Sequence, residues 1–166
     1  MGKVQSIFGN GSPGAVTRSV DEIVISVRNA SGGDIPFGAP VFLAGGGAVP
    51  FSTAAPQDFS SFLGFAVRVA DKTPDTYPAG QFNDPPEGVW HAGDVMEVLV
   101  RGGIAVRIAA GGNCGGPLYI RKSDGELTGV AGETGTTVML ENVRIRNPRN
   151  AAGPCCEVIL NKRNLI

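Results

Sequence analysis

The stretch "GGNCGGPLY" (111–119) holds Cys114 among glycines, a setting that suits a thiol nucleophile displayed on a tight turn. Thiol catalysis needs an imidazole within hydrogen-bond reach and a pair of backbone N–H groups for the oxyanion. The chain offers one histidine, His91, with Asp94 shortly after it. A two-barrel thiol protease keeps base and nucleophile in separate barrels, and 166 residues hold about one barrel. The glycines have a simpler use, turning the chain between Ile108 and Pro117. Cys114 is then expected to be a small, semi-buried apolar residue rather than a catalyst.

A second chemical spacing is "GNGSPG" (9–14), which fits G-x-G-x-x-G and has Asp34 downstream of it. A dinucleotide site needs a helix to open at the third glycine, so that its N-terminus meets the pyrophosphate. The next residues, "AVTRSVDEIVISV", are β-branched with period two, so no nucleotide site is expected. Arg101-Gly102-Gly103 is a lone turn and not an RNA-binding tract. The acids Asp21, Glu22, Asp71, Asp75 and Asp84 fall at strand starts and in loops, where solvated turn acids are the expectation rather than a hydrolytic pair. Three cysteines, two of them the adjacent Cys155 and Cys156, and one histidine do not make metal-ligand spacing, nor a disulfide framework. No enzyme activity and no cofactor are therefore expected, and the cysteine usage suits a reducing compartment. Met1-Gly2-Lys3 opens without an apolar run, so no secretory leader is expected, and no stretch is long and apolar enough to cross a membrane. Gly2 and Ser6 match the short, common myristoylation pattern, and modification is not expected.

These residues must be positioned by strands. Charged residues are 17% of the chain while Gly numbers 25 and Pro 12, a balance typical of turn-rich β proteins and of chains covered by neighbours. "SVDEIVISVRN" places Ile23, Ile25 and Val27 on one face and Glu22, Ser26 and Arg28 on the other. Further β-rich runs are "APVFLA" (39–44), "FLGFAVRVA" (62–70), "DVMEVLVRGGIAVRIAA" (94–110), "PLYIRKSDGELTGV" (117–130), "TTVMLENVRIR" (136–146) and "CCEVILNK" (155–162). Hairpin turns are expected at Arg101-Gly102-Gly103 and at Ser123-Asp124-Gly125. The connections are too short for crossover helices, so the expected fold is all-β, a small antiparallel β-barrel or sandwich. Its core is expected to centre on Ile23, Ile25, Val27, Val67, Val95, Val98, Val100, Val106 and Ile108.

Two segments do not fit a compact domain. Residues 1–19 form an extended N-terminal arm, polar and glycine-rich but carrying Val4, Ile7 and Phe8 as apolar anchors. The rest, 20–166, is one domain interrupted by a proline-rich loop at 71–93 with Tyr77, Phe82 and Trp90. A loop of that length with interleaved aromatics is expected to pack on its own domain or a neighbour. The net charge of −1 argues against whole-molecule attraction to nucleic acid or an anionic membrane. Charge is nonetheless uneven, because residues 141–166 hold Arg144, Arg146, Arg149, Lys162 and Arg163 against Glu141 and Glu157. Such a face is either a solvated edge or a docking surface for an acidic partner.

The run 88–138 resembles the structural cement, or head decoration, proteins of tailed bacteriophages. The stations are Ala92-Gly93-Asp94 before a strand, Arg101-Gly102-Gly103, the glycine-rich turn Ala109 to Gly116, Leu118-Tyr119 and Ser123-Asp124-Gly125. Upstream, "GAPVFLA" (38–44) and "FLGFAVRVADKT" (62–73) look like the family's G-x-x-V and G-x-A strands. The resemblance covers residues 20–160 and leaves the arm and the 71–93 loop unmatched. It implies a β protein on the outer surface of an expanded capsid, made in the host cytoplasm. It implies that the protein bridges major capsid subunits, associates with itself (as a trimer before a dimer), and touches neither nucleic acid nor membrane. The capsid and protomer contacts are then expected at Val4, Ile7, Phe8, Tyr77, Phe82, Trp90, Arg144, Arg146 and Arg149. Competing readings are a tail or baseplate β-protein and a soluble ligand-binding barrel with Tyr77, Phe82 and Trp90 as a platform.

Overall fold

The computed structural model describes residues 11–51, 60–69, 88–148 and 155–161. Among them there is no helix, as expected for an all-β chain. Eleven strands succeed one another: β1 (Val16–Arg28), β2 (Ile35–Pro36), β3 (Pro40–Ala44), β4 (Gly47–Pro50), β5 (Phe62–Ala66), β6 (Val89–Trp90), β7 (Val95–Arg107), β8 (Pro117–Arg121), β9 (Leu127–Thr128), β10 (Thr137–Asn147) and β11 (Cys155–Leu160). Nine form one antiparallel sheet in the order β4-β3-β5-β7-β11-β10-β8-β9, with β1 also on β7, and β2 pairs β6 separately. The sheet stays open, since no pairing among the described residues joins β9 back to β4. β1 begins at Val16, inside the span expected for the arm, and Ala15 and Gly14 are already hydrogen-bonded to Ala105.

β7 is the spine. β1 runs along one edge, while the other edge takes β5 at Val98–Leu99 and β11 from Gly102 to Arg107. The expected hairpin at Arg101-Gly102-Gly103 is absent, and the strand runs straight through it. Side chains of a regular strand alternate faces. Here Met96, Val98 and Val100 enter one apolar cluster, whereas Ile104, Val106 and Ile108 enter the other, so the even-numbered residues change face across the glycines. Gly102 makes this phase change with φ +120, open to a residue without Cβ. Opposite it β1 bulges, with Arg18 on Gly103 and Ile23 on Arg101. A left-handed glycine serves a turn or a bulge equally, and long partners on both edges hold this segment extended.

The phase change gives one sheet two cores. The first stacks Phe42, Phe51, Phe62 and Phe65 at centroid separations of 5.4–5.5 Å against Leu99, Ile104 and Leu140. The second gathers Ile35, Phe37, Trp90, Met96 and Val98, with Ile23, Ile25 and Val27 of β1 half-buried against it. Of the expected core residues, Val95 is misplaced: it is 68% exposed at the head of β7, opposite in phase to buried Met96. In β5, a Cβ on Gly64 would lie 2.0 Å from the Leu99 carbonyl oxygen, so only glycine lets β5 close on β7.

Three substitutions test this frame by urea unfolding. Leu99→Ala should cost about 3 kcal/mol through the cavity it leaves. Gly64→Ala should cost at least about 2 kcal/mol through overpacking against backbone. Val95→Ala should stay within about 0.5 kcal/mol of the parent, as at any exposed site.

Candidate functional site

Among the described residues, Asn29, His91, Asp94 and Cys114 each bond within a corner of the fold. Asn29, at the end of β1, is 1% exposed and ties three segments together. Its Nδ2 donates to the carbonyls of Gly33 (2.8 Å), Trp90 (3.0 Å) and His91 (3.0 Å). Its Oδ1 accepts from Ser31 N–H (3.0 Å) and Oγ (2.7 Å). The Ala92-Gly93-Asp94 station builds the same corner: Gly93 N–H donates to Asn29 O at 3.0 Å and Asn29 N–H to Asp94 O at 2.8 Å. Asp94 Oδ2 accepts from His91 N–H at 3.0 Å, closing the turn into β7. The His91 imidazole points elsewhere, its Nδ1 lying 3.0 Å from Asp34 Oδ1 on the exposed surface.

Cys114 belongs to a different corner. It is exposed, not semi-buried, because its turn lies on β10 instead of under it. The thiol donates to the Arg146 carbonyl at 3.0 Å, Gly115 N–H to Ile145 O at 2.7 Å, and Ile145 N–H to Gly116 O at 2.9 Å. The glycines thus stitch the β7–β8 connection to β10. Neither Cys114 nor His91 is a partner of the other, and the spacing that suggested a thiol protease serves two separate turns. "GNGSPG" likewise ends in sheet: Gly14 N–H donates to Ala105 O and Gly14 O accepts from Arg68 N–H, both at 2.8 Å. Cys155 and Cys156 are buried and unbonded to each other. Burial, with Cys155 beside it, pushes the Cys156 thiol up to about 12.

Glu157 is buried and accepts from Thr17 Oγ1 at 2.9 Å, whereas several other charged side chains sit at the surface and brace turns. Arg121 bridges Asp124 (2.7 Å) and Glu126 across the β8–β9 hairpin, which turns at Ser123-Asp124-Gly125 as expected. The Arg121 guanidinium, helped by Glu126 N–H, holds the Asp124 carboxyl below its usual range. Arg101 pairs with Asp21 beside the β1 bulge.

Of the expected contact residues, Val4, Ile7, Phe8, Tyr77, Phe82 and Arg149 lie outside the described residues. Arg146 is exposed at the end of β10, and Arg144 is half-buried with Nη1 donating to the carbonyls of Glu141 (3.1 Å) and Val143 (2.9 Å). Trp90 is not on the surface. It is 4% exposed, packs edge-on to Phe37 at 6.0 Å, and its Nε1–H donates to Val67 O at 3.0 Å. It therefore belongs to the second core and not to a ligand platform. An open cleft of about 320 Å³ lies nearby, walled by Pro13, Pro36, Phe37, Arg107 and Leu127. Asn29 carries no warning in the sequence, because a single Asn at a strand end is ordinary turn chemistry.

A family model described as "Structural cement protein (E217 gp24/Pam3 gp6)" matches residues 2–161. Comparison with curated protein sequences returns no match. Among solved structures, a chain from "The capsid of Myoviridae Phage XM1" superimposes with a TM-score of 0.69 at 19% identity. The match covers 97% of this chain and 96% of that one, which shows a shared fold.

The thiols check this arrangement. A neutral disulfide reagent should modify Cys114 in the folded protein, and Cys155 and Cys156 only in denaturant. Because folding raises the Cys156 pKa from 9.0 to about 12, its contribution to stability is complete below pH 9 and falls away as the pH rises toward 12. Chemical unfolding of the parent against Cys156→Val across that window should show the parent losing more stability.

Proposed function

The chain belongs to the structural cement protein family, and from that membership we propose that it binds the outer face of an expanded phage capsid and bridges neighbouring major capsid subunits. The family match over residues 2–161 carries this reading. The capsid neighbour's shared fold supports it, as do His91 and Cys114, which bond to Asp34 and to the Arg146 carbonyl and not to each other. A shell presents one docking site many times, so modest contacts repeated over associated copies reach high avidity. The contacts are assigned to Val4, Ile7 and Phe8 of the N-terminal segment, Tyr77 and Phe82 of the proline-rich segment, and the basic group Arg144, Arg146 and Arg149. An apolar segment that orders on the shell adds area at an entropic cost. Basic side chains favour an acidic rim on the partner. The work is done without catalysis or cofactor, on the outside of the particle, after synthesis in the host cytoplasm.

Co-sedimentation tests this. Undecorated expanded shells should pellet the protein saturably, and unexpanded precursor shells should not. Binding to neither, or capture by tails alone, would overturn the reading. Removing residues 1–10, which ends the deletion before Gly14 and Ala15 join the sheet, should leave the unfolding midpoint within about 0.5 M urea of the parent. It should weaken shell binding at least about tenfold, a loss of about 1.4 kcal/mol.

A further inference from the structure

β8, β10 and β11 give one face to the first core, through Leu118, Ile120, Leu140, Val143, Val158 and Leu160. Strand alternation sends Pro117, Tyr119, Met139, Arg144 and Ile159 to the opposite face. The register sets these side chains in two neighbouring rows. Tyr119 pairs Met139, while Pro117 pairs Arg144, which pairs Ile159 on its other side. The rows are two residues apart on β8, about 7 Å. Met139 is 40% exposed and the other four are half-buried. The Tyr119 hydroxyl has no hydrogen-bond partner among the described residues.

Arg144 is the cation of this patch, and its own strand holds it. Nη1 donates to Glu141 O at 3.1 Å and to Val143 O at 2.9 Å. Glu141 therefore offers its carbonyl, and no carboxylate pairs with Arg144 among the described residues. Arg101 and Arg121 differ, because Asp21 neutralises the first and Asp124 with Glu126 the second. Arg146, exposed further along β10, adds positive charge beside the patch. A guanidinium oriented in advance recognises a carboxylate through two parallel N–H···O bonds. Tyr, Met and Arg are also the residue types that protein interfaces enrich. A polyanion such as nucleic acid would call for several cations and no apolar bed.

We propose that this face seats a segment of the major capsid protein that carries a carboxylate and a neighbouring apolar side chain. The carboxylate lies on Arg144, and the apolar side chain lies on Tyr119 and Met139, with Ile159 beyond Arg144. The proposal rests on the capsid reading above. It adds the partner's chemistry and brings in Tyr119, Met139 and Ile159, which are not among the contacts assigned there.

The test is binding to undecorated expanded shells, with the parent chain measured first. Met139→Glu and Arg144→Lys should each raise the dissociation constant about tenfold. Lysine keeps the charge and loses the fork, so a loss at Arg144→Lys separates a seated carboxylate from general electrostatic attraction. Val95→Glu, at an exposed apolar site on the head of β7, should stay within about twofold of the parent. The urea midpoints of all three variants should lie within about 0.5 M of the parent. In the parent chain, peroxide should oxidise Met139 at least about fivefold more slowly on shells than in free solution, a result that does not depend on any variant folding. Unchanged binding by Met139→Glu and Arg144→Lys, or equal oxidation of Met139 in both states, would overturn this proposal and leave the capsid reading standing. A parent chain that binds no shell would overturn both.

Discussion

One strand serving two cores is the constraint on which this structure depends. β7 could not face Met96, Val98 and Val100 one way and Ile104, Val106 and Ile108 the other without a break in its alternation. Gly102 supplies that break, and the β1 bulge around Glu22 absorbs the offset on the neighbouring strand. With the phase reversed midway, β5 and β11 share one edge of β7 and lead into different parts of the molecule. An open sheet is thereby buried on alternate faces without closing into a barrel.

The same economy puts chemically suggestive residues to structural use. A buried Asn29 with five hydrogen bonds fixes the corner where β1, β6 and β7 meet, and the Ala92-Gly93-Asp94 turn completes it. Cys114 and its glycines fasten a second corner onto β10. A structural virion protein has to keep its shape under load, and hydrogen-bonded corners such as the buried one at Asn29 resist local opening.

Much of this fold is legible in the residues themselves. Period two in "EIVISVR" identifies β1 and its inward face, and the strands at 137–147 and 155–160 fall inside the runs expected for them. The glycine stations of the resemblance mark places where backbones meet closely or turn. Arg101-Gly102-Gly103 misleads because positive φ is required by a hairpin and by a bulge alike, and only the partners on both edges decide between them. β4 hides behind Gly45-Gly46-Gly47, a run with no strand propensity of its own. Trp90 sits in a proline-rich stretch that suggests a contact surface, yet it finds a carbonyl at Val67 that no local pattern announces. Docking residues are the least legible part, because their partner surface is not encoded in this chain.

Cementing a shell is a mechanical claim, and the heat stability of the shell itself tests it most directly. Undecorated expanded capsids would be melted in a scanning calorimeter with increasing amounts of the protein. The account predicts that the shell transition rises with occupancy and levels off when the docking sites are full, as mass action requires for a ligand of the intact state. A shell transition that stays where it was while the protein is bound would contradict it.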